Sequence, residues 1–226
     1  PIVLNLKCTA ASNPVTGKIF PEDKITIETK EIQDIDCIIP KNSLREGAHK
    51  VTFETTFNYE TFSYIETFFM TEEIMKEMQK KGLDPMGGYS QPEALTSKGP
   101  VNLKITTPTA PIPAKDDKRI IIGITMYNKG RGNIKQVNDL FVYIPKGFKL
   151  TEDNYDIYEK IGACTELPED EAKICDINAM DVYRVNSAEL QSPMYRNITN
   201  ARELRMYLAT EDYTKLVGKS PIKPAS

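Results

Sequence analysis

Residues 51–59 read "VTFETTFNY". Val51, Phe53, Phe57 and Tyr59 occupy odd positions together with Thr55, while Thr52, Glu54, Thr56 and Asn58 occupy even ones. Side chains of an extended chain alternate between faces, so the pattern predicts a strand with one buried and one wet face.

The same period extends in both directions. Upstream, "PIVLNLKC" puts Ile2, Leu4, Leu6 and Cys8 on one face, and "KITIE" puts Ile25 and Ile27 inward. Downstream the apolar parity changes, since Phe62 and Tyr64 are even. A bulge near Glu60–Thr61 accounts for this, as does burial of the later segment on both faces. The period assigns most of the aromatic cluster (Phe53, Phe57, Tyr59, Phe62, Tyr64, Phe68, Phe69) to a core, with Phe68, Phe69 and Met70 placed for a contact between domains or subunits.

One stretch departs from it. "TEEIMKEMQKKGLDP" has Thr71 at an N-cap position, Glu72 and Glu73 in a first turn, Lys80 and Lys81 in a last turn, then Gly82 and Pro85. These signals predict a helix over about 71–82. From Pro85 to Pro113 the chain is rich in Pro, Gly, Ser and Thr around one strand, "VNLKI". The stiff, proline-punctuated "TTPTAPIPAKDDK" is the expected domain boundary. Beyond it come "RIIIGITMY", "DLFVYIP" and "RELRMYLATEDY"; the last fits strand or amphipathic helix and is taken as strand. Short strands with turn residues between them and almost no helix predict a mainly β protein. The expected architecture is two tandem Ig-like β-sandwich domains, an N-terminal one over residues 1–110 and a C-terminal one over 114–220.

The 226 residues suit one large domain or two of about 110, and 40% hydrophobic and 27% charged residues with a formal net charge of -3 are an ordinary globular balance. Opposite charges are interspersed, which excludes a basic stripe for a nucleic-acid backbone. The longest aliphatic run, "IIIGI", is far below the roughly 20 residues of a membrane helix. The chain opens on Pro1, so a processed or excised piece is expected, with "GKSPIKPAS" as a linker. Cys8, Cys37, Cys164 and Cys175 contain no C-x-x-C pair, and one histidine makes a zinc site of usual spacing a poor fit. Disulfides Cys8–Cys37 and Cys164–Cys175, one per half, are preferred to four buried thiols and imply a location outside the cytosol. Asn197-Ile198-Thr199 is a glycosylation sequon that fits the same compartment.

Gly130 and Gly132 in "MYNKGRGNIKQVNDLFVYIP" lack the third glycine of a dinucleotide fingerprint and the Gly-Lys-Ser/Thr of a P-loop. With Asn128 they are read as a turn between twisted strands, at residues that accept positive φ. The stretch "IGITMYNKGRGNIKQVNDLFVYIPKG", with the lead-in from Gly99, resembles CARDB-type domains, the cell-adhesion-related Ig-like modules of prokaryotic, notably archaeal, surface proteins. The resemblance covers about Gly99 to Gly147 and implies an extracellular sandwich used as stalk, adhesion or assembly module, with no catalytic residues to carry over. The helix near Thr71 and the Cys164–Cys175 excursion depart from a minimal module of that kind.

No catalytic residues are assigned. His49 lies in the polar turn "REGAHKV", and the many carboxylates have no tryptophan-lined cleft to share. "TEDNYDIYE" and "LPEDEAKICD" are oxygen-rich without the EF-hand order; Asp153, Asp156, Glu169 and Asp170 are the residues a structural calcium ion would take. No other cofactor is expected. The expected function is non-enzymatic: an extracellular structural or adhesion module (stalk, surface layer or filament subunit) whose partners are other surface proteins or its own copies. The apolar N-terminal strand "PIVLNLK" would suit strand addition to a neighbour, although first strand of its own domain is the simpler role. The alternative is an accessory carbohydrate-binding or calcium-dependent module of a secreted enzyme.

Overall fold

A computed structural model describes residues 2–11, 14–28, 32–88, 90–161 and 180–212. The fold is mainly β, and two compact units divide between Glu60 and Thr61.

The first unit contains β1 (Ile2–Ala11), β2 (Pro14–Thr16), β3 (Lys18–Phe20), β4 (Lys24–Ile27), β5 (Asp36–Ile38) and β6 (Val51–Phe57). β1 is the centre of its sheet: Leu4 lies opposite Ile25 of β4 on one side and opposite Phe57 of β6 on the other. β2 continues the β4 side at Thr9 and Ala10. The "PIVLNLK" strand therefore pairs within its own unit, Ile2 to Asn5 with β4 and Leu4 to Lys7 with β6. β3 and β5 form a separate pair with Ile19 opposite Cys37.

Directly opposed residues of antiparallel strands share a face, so Leu4, Leu6, Cys8 and Ala10 stand on one side with Val51, Phe53, Thr55 and Phe57. Alternation holds as expected, but cover does not. Cys8 and Ala10 are completely buried and Ile19 nearly so, whereas Val51, Phe53 and Phe57 are 43%, 53% and 39% exposed. Period two decides which face a side chain takes; a second layer must still lie over that face to bury it. β6 is an edge strand, pairing only with β1 among the described residues.

The second unit begins with β7 (Ser63–Tyr64), β8 (Phe69–Thr71), α1 (Glu72–Lys80), β9 (Leu95–Thr96), β10 (Val101–Thr106), β11 (Ile112–Ala114) and β12 (Arg119–Asn128). It continues with β13 (Ile134–Gln136), β14 (Phe141–Pro145), β15 (Phe148–Leu150), β16 (Tyr158–Ile161), β17 (Met180–Val185), α2 (Ser187–Leu190), β18 (Arg196–Ile198) and β19 (Ala201–Thr210). One sheet has the order β10-β12-β19-β15 and a second β14-β17-β16, with the pair β13-β18 beside them.

One core joins these layers. Ile120, Ile124 and Met126 of β12 and Leu204, Met206 and Leu208 of β19 meet Ile144, Tyr158, Tyr183 and Val185 of the other sheet. Burial on alternate residues of β12 and β19 is what the two-residue period requires when a second sheet covers the face. "RELRMYLATEDY" is strand because Gly123 to Tyr127 pair with Arg205 to Ala201; that partner is distant in sequence.

α1 forms where its signals place it. The Thr71 hydroxyl accepts from the Ile74 amide at 3.4 Å. Gly82 turns left-handed at φ +66, and the Gly82 and Leu83 amides donate to the Gln79 and Met78 carbonyls at 3.0 and 2.9 Å. That double closure satisfies the last carbonyls of the helix. α2 is a single turn capped by Asn186, whose Oδ1 accepts from the Ala188 amide at 3.0 Å; four residues are too few to show a helical period.

The segment expected as a linker near residues 110–114 lies inside the second unit. β11 pairs in parallel with β8, Ile112 opposite Phe69, and Ile112 and Ala114 are buried. β11 pairs with no other strand among the described residues, and such an edge tolerates Pro113, which has no amide to donate.

Candidate functional site

In the first unit the chemistry of interest is one covalent bond. Cys8 and Cys37 are joined with Cα atoms 6.1 Å apart, tying the β1 sheet to the β3–β5 pair. The chain passes very close to the sulfurs at Gly17: a Cβ there would lie 2.6 Å from each Sγ and 2.8 Å from Ile39 Cδ1. The Gly17 amide also donates to the Cys8 carbonyl at 3.0 Å. Only glycine fits that approach. Cys164 and Cys175 lie outside the described residues. His49 Nε2 donates to the Arg45 carbonyl at 2.6 Å, closing its own loop.

The glycine stretch is a corner between β12 and β13, organised by Asn128. Its Nδ2 donates to the Gly132 carbonyl at 2.7 Å and the Ile198 carbonyl at 3.1 Å, and its Oδ1 accepts from the Gly130 amide at 3.0 Å. Neither Gly130 nor Gly132 is left-handed, so positive φ is not the reason for these residues. A Cβ at Gly130 would make close contact, 3.4 Å from both Asn128 Oδ1 and Pro100 Cβ. All the amides in this corner that have named partners bond to the protein itself.

The acidic loop at 151–157 is held from beneath by a residue that the sequence does not single out. Asn154 is completely buried, and its Nδ2 donates to the Tyr207 carbonyl at 2.8 Å and to Thr151 Oγ1 at 3.2 Å. Asp153 pairs with the Arg119 guanidinium, which lies over the Tyr207 ring at 4.8 Å. Asp156 is exposed, and Glu169 and Asp170 lie outside the described residues. Among the described residues no group of three His, Cys, Asp or Glu side chains is placed to hold a metal. Asn197 is exposed in β18 with a left-handed φ of 51, flanked by the fully buried Ile198.

The later aromatics, expected mostly in the core, divide. Phe69 packs on Phe148 with ring centroids 5.5 Å apart. Phe62, Tyr64 and Phe68 are instead 53%, 47% and 43% exposed. Tyr64 lies opposite Leu95 on the β7–β9 pair, and with Glu66, Phe68, Gln91 and Glu93 they line an open groove of about 460 Å³. Rings beside carboxylates can stack on a sugar ring and accept from its hydroxyls. One signal for this wet face was in the sequence: Glu66 has the same parity as Phe62, Tyr64 and Phe68.

Burial raises the phenolic pKa of Tyr158, Tyr183 and Tyr195. Tyr158 donates its hydroxyl to the Arg205 carbonyl at 3.1 Å, a tie inside the core. No protein-family model, curated protein or solved structure matches the chain.

Proposed function

We propose that the chain is a non-enzymatic, extracellular module of adhesion or surface assembly, built from Ig-like β-sandwich elements of the CARDB kind. The observation that carries this reading is the Cys8–Cys37 bond in a unit with few buried apolar side chains among its described residues. A unit of about sixty residues buries too little apolar surface to be robust without a staple, and a disulfide is a durable staple only under oxidising conditions. The exposed Asn197 sequon agrees with such a compartment. Function through surfaces agrees with a second unit whose core is filled by aliphatic and aromatic side chains.

Intact-mass measurement of protein from its native source, alkylated with and without reduction, tests the proposal. An oxidised Cys8–Cys37 pair and a glycan on Asn197 are expected. Free thiols at Cys8 and Cys37 would remove the compartment from the proposal and leave a β scaffold without a location.

A second reading is favoured by the groove around Tyr64 and Phe68: an accessory carbohydrate-binding module. Retention on an insoluble polysaccharide that is lost in Tyr64→Ala would support it, and equal passage of both proteins would exclude it.

A further inference from the structure

β6 is a seven-residue edge strand, and the sequence 51–59 that contains it is symmetric about Thr55. Reading outward from Thr55, Glu54 matches Thr56, Phe53 matches Phe57, Thr52 matches Asn58 and Val51 matches Tyr59. Polar falls on polar and apolar on apolar at each step. A two-fold interface requires one surface to be complementary to itself, and Phe53 to Phe57 of this strand have that property.

The backbone is turned the right way for it. The Leu6 amide donates to the Asp23 carbonyl, and the Cys8 carbonyl accepts from Gly17. The even residues of β1 therefore use their backbone groups on the β4 and β2 side, and the odd ones face β6. Lys7 is opposite Glu54 and Leu6 opposite Thr55, so Glu54 belongs to the bonded pairs of β1 and β6. Val51, Phe53, Thr55 and Phe57 direct their amides and carbonyls toward the other edge of β6.

We infer that two copies of this chain associate through β6, antiparallel, with Thr55 on the two-fold axis. In that register Phe53 of one copy lies opposite Phe57 of the other, twice, and Glu54 lies opposite Thr56. Phe53, Thr55 and Phe57 then meet outward-facing residues of the other copy, so both sets of backbone groups bond there. The neighbouring register centred on Glu54 puts like charges opposite each other and separates the phenylalanines, which is the poorer pairing.

The association joins two four-stranded sheets into one continuous sheet and gathers the exposed Phe53 and Phe57 rings of both copies at the seam. The strand also lacks the usual guards of a free edge: residues 51–57 contain no lysine, no proline and a single charge, Glu54. This inference supplies the partner that the assembly reading leaves open. Its failure leaves that reading standing, because the disulfide and the glycan are measured separately.

The test uses the full chain. Sedimentation velocity should show a dimer that dissociates on dilution, and amide exchange at Phe53, Thr55 and Phe57 should slow as protein concentration rises. Thr55→Pro removes one outward amide while sparing the β1–β6 ladder, and it should sediment as a monomer with an unchanged far-UV spectrum. Phe53→Lys should do the same without a proline in the strand. A wild-type chain that stays monomeric up to its solubility limit would overturn the inference. So would exchange at those amides that does not depend on concentration, or a dimer that survives folded Thr55→Pro and Phe53→Lys.

Discussion

Cys8 and Phe53 lie directly opposite each other on β1 and β6, on the same face of one sheet, yet Cys8 is completely buried and Phe53 is more than half exposed. The difference is what lies above them. Cys8 is bonded to Cys37 of the β3–β5 pair, and that cover does not extend to the outer strand.

Loss of the bond should therefore cost the first unit most of its stability. Closing a loop with a sequence separation of 29 contributes about 3–4 kcal/mol in the chain-entropy description. Reduction, or Cys8→Ala with Cys37→Ala, should abolish amide protection across β1, β4 and β6. Protection in β12 and β19 should remain. Equal protection of β1 with and without reductant would contradict this.

Gly17→Ala should be nearly as damaging. The new methyl carbon would fall 2.6 Å from both sulfurs, and overpacking of this kind costs about 1–3 kcal/mol. Urea unfolding followed on the first unit should show a lower midpoint with the slope unchanged. The contrasting substitution Gly132→Ala, where a Cβ meets nothing within 4 Å, should be close to neutral.

Asn154 is expected to be the least replaceable residue of the acidic loop. Asn154→Ala removes the 2.8 Å donor to the Tyr207 carbonyl, which keeps the Thr151 amide at 3.1 Å, so the loss should be that of one hydrogen bond, about 0.5–1.5 kcal/mol. Asn154→Asp replaces that donor with an acceptor and should be worse at neutral pH, with partial recovery in acid when the carboxyl gains a proton. Asp156→Ala, at an exposed site, should leave the melting temperature unchanged.

Alkaline pH should unfold the second unit cooperatively. Burial, with the Asp181 and Glu211 carboxylates nearby, pushes the Tyr183 hydroxyl up to about 12. A free tyrosine ionises near about 10, so the unfolded chain releases this proton first and stability falls as pH rises between those values. Burial raises Tyr158 as well. Tyrosinate absorbance for these residues should appear together with loss of the far-UV β signal. Full ionisation with the β signal intact would show that the hydroxyls are accessible in the folded state.

Local signals were the legible ones. Thr71, the paired glutamates and Gly82 specify α1 within about a dozen residues of chain, and its ends lie where they place them. The alternation of β1 and β6 was readable for the same reason. What depends on distant partners was not. Nothing near Phe53 tells that β6 ends the sheet, and nothing near Ile112 tells that a proline-rich stretch runs beside Phe69 in a core. The glycines at 130 and 132 lie between β12 and β13 without the left-handed backbone expected of them, and the Asn128 side chain organises the stretch. Asn154 had no signature at all, because a buried amide in an acidic loop reads like its exposed neighbours.

The position of β19 has a consequence for how the protein is made. It is the last described strand, yet it lies between β12 and β15 and supplies Leu204, Met206 and Leu208 to the core. A ribosome that has reached Asn200 has produced β10, β12 and β15 with a missing slat between the last two. The strands of the first unit end at Phe57, so they are complete while synthesis continues. The second cannot complete its four-stranded sheet until Thr210 has emerged, so its β12 edge stays unpaired with β19 for most of synthesis.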